Sequence, residues 1–463
     1  MQITAGHAAF TIDCIAARRM RAPRIVRPAM SQTPSFCAVD FGTSNSAIAI
    51  PDADGGMRLV ELEPGHATMP TAVFYFVEGR HDADGPPRAF GRAAIKAYID
   101  GNDGRLMRSM KSILGSGLIE QTTDVGGGRG VKYFDILAGY LKRLRNAALA
   151  AGAAQPLDKI VLGRPVFFVD GEPERDAAAQ ASLEAAARAV GFHEVHFQFE
   201  PIAAAFDYER QVERERLVLV ADIGGGTSDF SIVRVGPDRM QRVDRREDIL
   251  ANHGVHIAGT DFDRHVELAS ILREFGYRSF GPERAGSPPR EVPSAVYFDL
   301  ATWHLINTVY SPARVHELRQ MKSFYGDPLH HQRLMTVIEE RLGHELAARA
   351  EAAKIAVSGG GDTVIDLDLI EPGLAVHLSE GTAVEALDRD IERIVQAGRE
   401  TVAQAGLKPE QIDALYFTGG STGLRLLADR IAREFPTATQ VRGDRFASVA
   451  TGLGLHAARL FRA

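Results

Sequence analysis

The chain has 463 residues, 45% of them hydrophobic and 24% charged, with a formal net charge of −7. That is an ordinary globular composition, long enough for two to four domains of roughly 100–200 residues each, and its acidic balance gives no reason to expect nucleic acid or an anionic membrane as partner. Cys14 and Cys37 are the only cysteines, which excludes a disulfide framework and fits a reducing cytoplasm, and no apolar run approaches the ~18–20 residues of a membrane span.

Residues 1–35 carry Arg18, Arg19, Arg21, Arg24 and Arg27 against a single acid, Asp13. A secretory signal has its apolar segment after the basic start, and here the order is reversed. The segment is Arg-rich and acid-poor like an organellar transit peptide. It reads better as a disordered extension, or as the product of an upstream start codon with Met30 the true initiator. From Phe36, FCAVDFGTSNSAIAI predicts strand, glycine turn, strand. VLGRPVFF (Val161 to Phe168) predicts a buried strand, and Glu174 to Val190 an Ala-rich helix with Leu183, Ala187 and Val190 on one face. Gly191 stops that helix, and His193 to Phe199 alternates as a half-buried strand does.

LVLVADIGGGTSDFSIVRV, from Leu217 to Val235, repeats the build of the first segment. Asp40-Phe-Gly42-Thr43 and Asp222-Ile-Gly224-Gly225-Gly226-Thr227 are two copies of one device, which predicts two similar halves facing a shared cleft. Gly281 to Pro293 is a surface loop by composition, and Val296, Leu300, Trp303 and Tyr310 then fall near helical spacing, with Trp303 expected in the core. LYFTGGSTG (Leu415 to Gly423) gives a third strand and glycine turn. A helix with the stripe Leu424, Leu427, Ile431 and Phe435 follows, and a last helix runs from about Phe446 to Phe461.

Glycine without a Cβ lets backbone N–H groups approach phosphate oxygens and point at them together. The turns at Gly42, Gly224–Gly226 and Gly419–Gly420 have this character, and Thr43, Ser44, Thr227 and Ser421 add hydroxyl donors. Asp40 and Asp222 at the strand ends suit a hard cation that takes oxygen ligands and keeps its waters. A Walker-type GxxxxGK[S/T] loop is absent from the sequence. The pairs His193/His196 and His253/His256 lack the further Cys or His ligands of a metal site.

The same segments resemble the ATPase domain of the seventy-kilodalton heat-shock family. VDFGTSNS is similar to that family's first phosphate segment, VADIGGGTSDFSI to its second, FEPIAAAFDYE to its connecting segment, IAGTDFD to its glycine-glycine-acid-aspartate stretch, and YFTGGSTG to its adenosine segment. The resemblance implies an α/β, actin-like ATPase (ribonuclease H-like) fold with two lobes around a nucleotide cleft. Lobe I would span 36–211, lobe II 212–440 with an insertion around 275–340, and the helix in 441–463 would return to lobe I. Each lobe would rest on a mixed five-stranded sheet.

It further implies ATP/ADP with Mg²⁺, held through water by Asp40 and Asp222. Lys111 would contact phosphate, Glu200 would position water, and Thr227 and Asp229 would flank the γ-phosphate. Glu351, Lys354 and Ser358 would border ribose and adenine. Gly42, Thr43, Ser44, Gly224, Gly225, Gly226, Gly259, Gly419, Gly420 and Ser421 would line the nucleotide. Which of Glu200, Asp222 and Asp229 accepts the water proton stays open. Glu351 and Lys354 read equally well as an i,i+3 ion pair.

Departures are clear. Gly423 stands where the family has an adenine-stacking arginine, Phe446 where it has an aspartate (Asp444 is close by), and Thr260 where it has an acid. The sequence ends where the family's linker and peptide-binding domain would begin, a likeness to its short, YegD-like branch. The expected function is a slow, monomeric, chaperone-like cytoplasmic ATPase with a client or co-chaperone as partner. An actin-like filament protein and a sugar-kinase-type enzyme are the alternatives.

Overall fold

Both sequence copies fold into an antiparallel hairpin, and each hairpin holds the middle of its own sheet. The computed structural model describes residues 35–79, 85–126, 128–283, 288–443 and 448–462. Cys14, all of the N-terminal extension before Ser35, and the Asp444/Phe446 position lie outside the described residues.

In the first sheet, Phe36–Phe41 pairs antiparallel with Asn45–Pro51 and parallel with Lys159–Arg164. Glu194–Phe199 adds parallel to the latter, Met57–Leu59 closes the hairpin side, and Thr68–Pro70 makes a sixth, short strand. In the second, Arg216–Ile223 pairs antiparallel with Ser228–Val235 and parallel with Ala414–Thr418. Ile249–Val255 and Thr439–Arg442 form its edges. Apart from the extra strand, the two sheets share one strand order and one pattern of directions. Duplication in the sequence is duplication in topology.

Alternation along the strands distributes side chains between cores, because successive residues point to opposite faces. Cys37, Val39 and Phe41 pack with the helices Tyr133–Ala150 and Pro173–Ala189. Leu219, Ala221 and Ile223 pack with Gly259–Ala269 and the long helix Glu380–Gln404. The opposite faces, with Phe36, Ala38, Val218 and Val220, share a third core with the helix Glu200–Glu209 and the final helix, Ser448–Arg462. These two helices cross closely because Gly452 has no side chain; a Cβ there would run into the Ala203 backbone. The final helix also packs on the strands Phe36–Phe41, Asn45–Pro51 and Lys159–Arg164.

Local signals explain the element ends. Pro173 opens its helix, Glu174 and Asp176 lie in the first turn and Arg188 in the last, each suited to the helix dipole. Gly191 follows at φ +99°. The strand from Lys159 stops at Arg164 rather than continuing to Phe168. Pro165 has no N–H for the ladder, and Arg164 donates to the Pro165 and Val166 carbonyls at 3.0 and 3.1 Å, folding the chain away.

The segment after 275 adds the helices Ala295–Ala301, Ile306–Val309, Pro312–Gln320 and Pro328–Glu339. Val296 and Leu300 are buried as their spacing predicts. Thr302 is extended, so Trp303 leaves the helix and is half-buried rather than in the core.

Candidate functional site

The three glycine turns converge on one cavity of about 1000 Å³ between the two sheets. Their backbone carbonyls accept hydrogen bonds from neighbouring segments. Ser421 donates its hydroxyl to the Gly224 carbonyl at 2.7 Å, and the Gly259 N–H reaches the same oxygen at 3.3 Å. Thr260 donates both its N–H and its hydroxyl to the Gly225 carbonyl at 2.8 Å. Thr71 holds the first turn, its hydroxyl on the Gly42 carbonyl at 2.8 Å and its N–H on that of Ser44 at 2.9 Å. The N–H groups of Thr43, Ser44, Gly225 and Gly226 donate to no protein acceptor among the described residues. Turns whose carbonyls are engaged and whose amides are free make a cradle for an anion. Gly419 is obligatory in this arrangement: its φ is +84°, and a Cβ would meet the Ile223 carbonyl.

Beside the cradle stands a cluster of charge. Lys111 Nζ contacts Glu200 Oε1 at 2.6 Å, and Asp40, Asp222 and Asp229 line the same cavity. Burial alone would lower Lys111, but Glu200 first and then Asp40 outweigh it and raise its pKa. Burial pushes Asp40 up to about 8, reinforced by Glu200 and opposed by Lys111. Asp222 rises to about 7 through burial and the charge of Asp229, its directly opposed partner across the hairpin. Like charges opposed in a ladder destabilise it. Burial raises Asp229 too, while its hydrogen bond to Thr227 lowers it.

One lysine against four carboxylates is an under-neutralised cluster. Among the described residues no three His, Cys, Asp or Glu side chains converge closely enough to hold a metal directly. The carboxylate oxygens around Lys111 are donors of the type a hard divalent cation such as Mg²⁺ takes.

Ser109 lies two residues before Lys111. It adopts φ +54°, ψ +38°, a left-handed conformation unusual for a residue with a side chain, at the start of the short helix Met110–Ile113. Sequence gave no sign of it.

Across the cavity, the helix Gly343–Val357 presents Glu351, Lys354 and Ile355, with Ser358 at its end. Lys354 does not pair with Glu351. It contacts Asp263 at 2.6 Å and the Gly259 carbonyl at 3.4 Å, and burial pushes Asp263 up to about 6 against that lysine. Gly423 lines the cavity and lies outside the positive-φ glycines. Every site residue named from the sequence lines this cavity; Ser109, Pro165, Phe168, Asp170, Asn252, His256 and Asp263 are among the further lining residues that the sequence reading did not assign to it. Pro165 and Phe168 fall in the segment read as one strand, and Asp263 closes the IAGTDFD stretch, where it was given no role. His196 instead meets Glu194 at 3.2 Å, and His253 meets Glu400 at 3.1 Å, each away from its sequence partner.

Comparison with known proteins finds relatives of the chain. The family model described as Hsp70 protein matches residues 115–279. The chaperone protein HscA of Escherichia fergusonii is 24% identical over 458 residues, covering 93% of this chain and 60% of the relative. HscA of Escherichia coli K12 gives the same identity and coverage. The chain thus spans about 60% of the length of the curated relatives it matches. These similarities relate it to the ATPase domain of the 70-kDa heat-shock family.

Proposed function

We propose that the chain is an Hsp70-type, chaperone-like ATPase that binds Mg²⁺·ATP between two lobes and hydrolyses it slowly to ADP and phosphate. The observation that carries this reading is one cavity uniting two anion-cradling turns and a third glycine turn with an under-neutralised carboxylate cluster. In this reading the free N–H groups of Thr43, Ser44, Gly225 and Gly226 hold phosphate oxygens. Asp40 and Asp222 hold cation-bound water, and Lys111 meets charge developing on the γ-phosphate, flanked by Thr227 and Asp229. Magnesium, when bound, neutralises phosphate charge and orients the transferring group.

Glu200 sits at the start of its helix with Lys111 as partner, placed to orient the attacking water. A carboxylate among Glu200, Asp222 and Asp229 accepts the proton. Glu351, Lys354 and Ser358 border ribose and adenine. The lobes correspond to the two sheets and their helices, with the final helix seated on the first. Among the described residues no helix is long and apolar enough to cross a membrane; we assign the protein to the cytoplasm, with a client or co-chaperone as partner.

Single-turnover hydrolysis of ATP by the purified chain, with Mg²⁺ and with excess chelator, tests the reading. Hydrolysis only with Mg²⁺ is expected. Hydrolysis in neither condition would overturn it.

A further inference from the structure

The strand Lys159–Arg164 ends on an arginine that stands behind the cavity wall. Arg164 is 6% exposed, and each of its nitrogens donates. Nε reaches the Pro165 carbonyl at 3.0 Å, Nη2 the Val166 carbonyl at 3.1 Å and Asp176 at 2.8 Å, and Nη1 the Gln180 side chain. Two rings lie within cation–π reach of the guanidinium, with the centre of Phe168 at 5.3 Å and that of Phe199 at 5.1 Å. Asp176, in the first turn of the helix Pro173–Ala189, completes the network by accepting from the Phe168 N–H at 2.6 Å.

Three parts of the cavity are joined to this network. Phe199 is the partner of Arg164 in the parallel strand pair, and it immediately precedes Glu200. Pro165, Val166, Phe168 and Asp170 form a stretch of the cavity wall. Arg175, next to Asp176, donates Nε to the Gly115 carbonyl at 3.1 Å, just past the short helix Met110–Ile113 that carries Lys111. A planar guanidinium with every nitrogen engaged is fixed in orientation. It therefore holds the strand end, the wall segment and the helix turn in one arrangement.

We propose that Arg164 is a positioning residue for hydrolysis, holding Glu200 and the Pro165–Asp170 segment in line with the γ-phosphate and the attacking water. The inference rests on the ATPase reading. Arg164 itself meets no substrate and moves no proton. The turn amides that would hold the phosphates, at Thr43, Ser44, Gly225 and Gly226, belong to other segments. Loss of Arg164 should accordingly slow the chemical step and spare nucleotide binding.

Single-turnover hydrolysis and calorimetric Mg²⁺·ATP binding by the full chain test this. Arg164→Gln should hydrolyse about 10–100-fold more slowly, the scale of a catalytic group displaced by about 1 Å, with ATP affinity within about twofold of wild type. Arg164→Lys should be slow as well, because an ammonium cannot meet the carboxylate, the amide and both carbonyls at once. In a Glu200→Gln chain, adding Arg164→Gln should slow the reaction no further, whereas a purely structural role would slow both backgrounds equally. Asp176→Ala, nearer the surface, removes the acceptor of both Arg164 and the Phe168 N–H and should also be slow; it carries the test if Arg164→Gln fails to fold. Wild-type rates in folded variants, or equal slowing with and without the Glu200 carboxylate, would overturn the positioning role and leave the ATPase reading standing. A wild-type chain that hydrolyses no ATP would overturn both.

Discussion

The helix Glu200–Glu209 carries an ionic group at each end, and the two surroundings are opposites. At its start, Glu200 shares one lysine with Asp40, Asp222 and Asp229. At its end, Glu209 accepts from both terminal nitrogens of Arg245, at 2.8 and 3.0 Å, and from the Gly236 N–H at 3.0 Å. Arg245 also pairs with Asp248, which Arg239 meets at 2.9 Å. Two carboxylates and two guanidiniums balance there without any ligand. The comparison separates a charge set built to hold the fold from one left short of positive charge. The shortfall is where a cation and a phosphate-binding lysine would act.

Breaking the balanced end should have the largest effect. Arg245→Met strands Glu209 in the interior and leaves Asp248 with Arg239 alone, and losing one partner of a buried ionic network costs about 3–5 kcal/mol. Denaturant unfolding measures it; a loss below ~1 kcal/mol would mean water already reaches the network.

Lys111→Ala strikes the other end. It should slow single-turnover hydrolysis at least ~100-fold, the scale of a lost charge-stabilising group, while nucleotide binding survives. Equal hydrolysis by the variant would remove Lys111 from the reaction.

Asp40→Asn should have a gentler and opposite effect on the ligand-free protein, raising its melting temperature by about 1 °C, as ~1 kcal/mol does in a chain of this size. The sign follows from linkage. Asp40 is raised by burial to about 8 in the folded chain, so its contribution is present below its unfolded pKa near ~4 and lost as pH rises toward 8. The variant should flatten stability over that window. His344 and His456, both lowered to about 4 mainly by burial, act in the reverse direction. Their contribution is complete above ~6.5 and is lost as pH falls toward 4. Melting curves of wild type and Asp40→Asn from pH 4 to 8 check both signs; parallel profiles would contradict the cluster's electrostatics.

The smallest expected change is at the base side. Gly423→Arg adds a guanidinium to the cavity lining, and stacking on adenine should tighten ATP binding by about 2–30-fold. Calorimetry with ATP and GTP decides it. Unchanged affinity in a folded variant would show the base already covered.

The sequence made the scaffold legible where the signal was local. Strand, glycine turn and strand repeat at Phe36 and Arg216, and both become sheet centres because alternation and turn chemistry lie within fifteen or so residues. Gly419 and Ser421 were readable for the same reason. What remained hidden depends on distant parts of the chain. The pairing of Lys354 with Asp263 rather than Glu351 needs the helix Gly259–Ala269 alongside. The contact of Lys111 with Glu200 joins residues 89 positions apart, and the left-handed Ser109 before it is announced by no residue type. Trp303 read as core because its spacing was helical, and only the extended Thr302 sends it to Tyr98.

The central claim is that the under-neutralised cluster and the free turn amides form one Mg²⁺·nucleotide site. Calorimetric titration of the ligand-free chain with ATP, in Mg²⁺ and again in excess chelator, tests it most directly. One site per chain, with binding much weakened when Mg²⁺ is removed, is the predicted result. Equal binding in both conditions, or none in either, would contradict it.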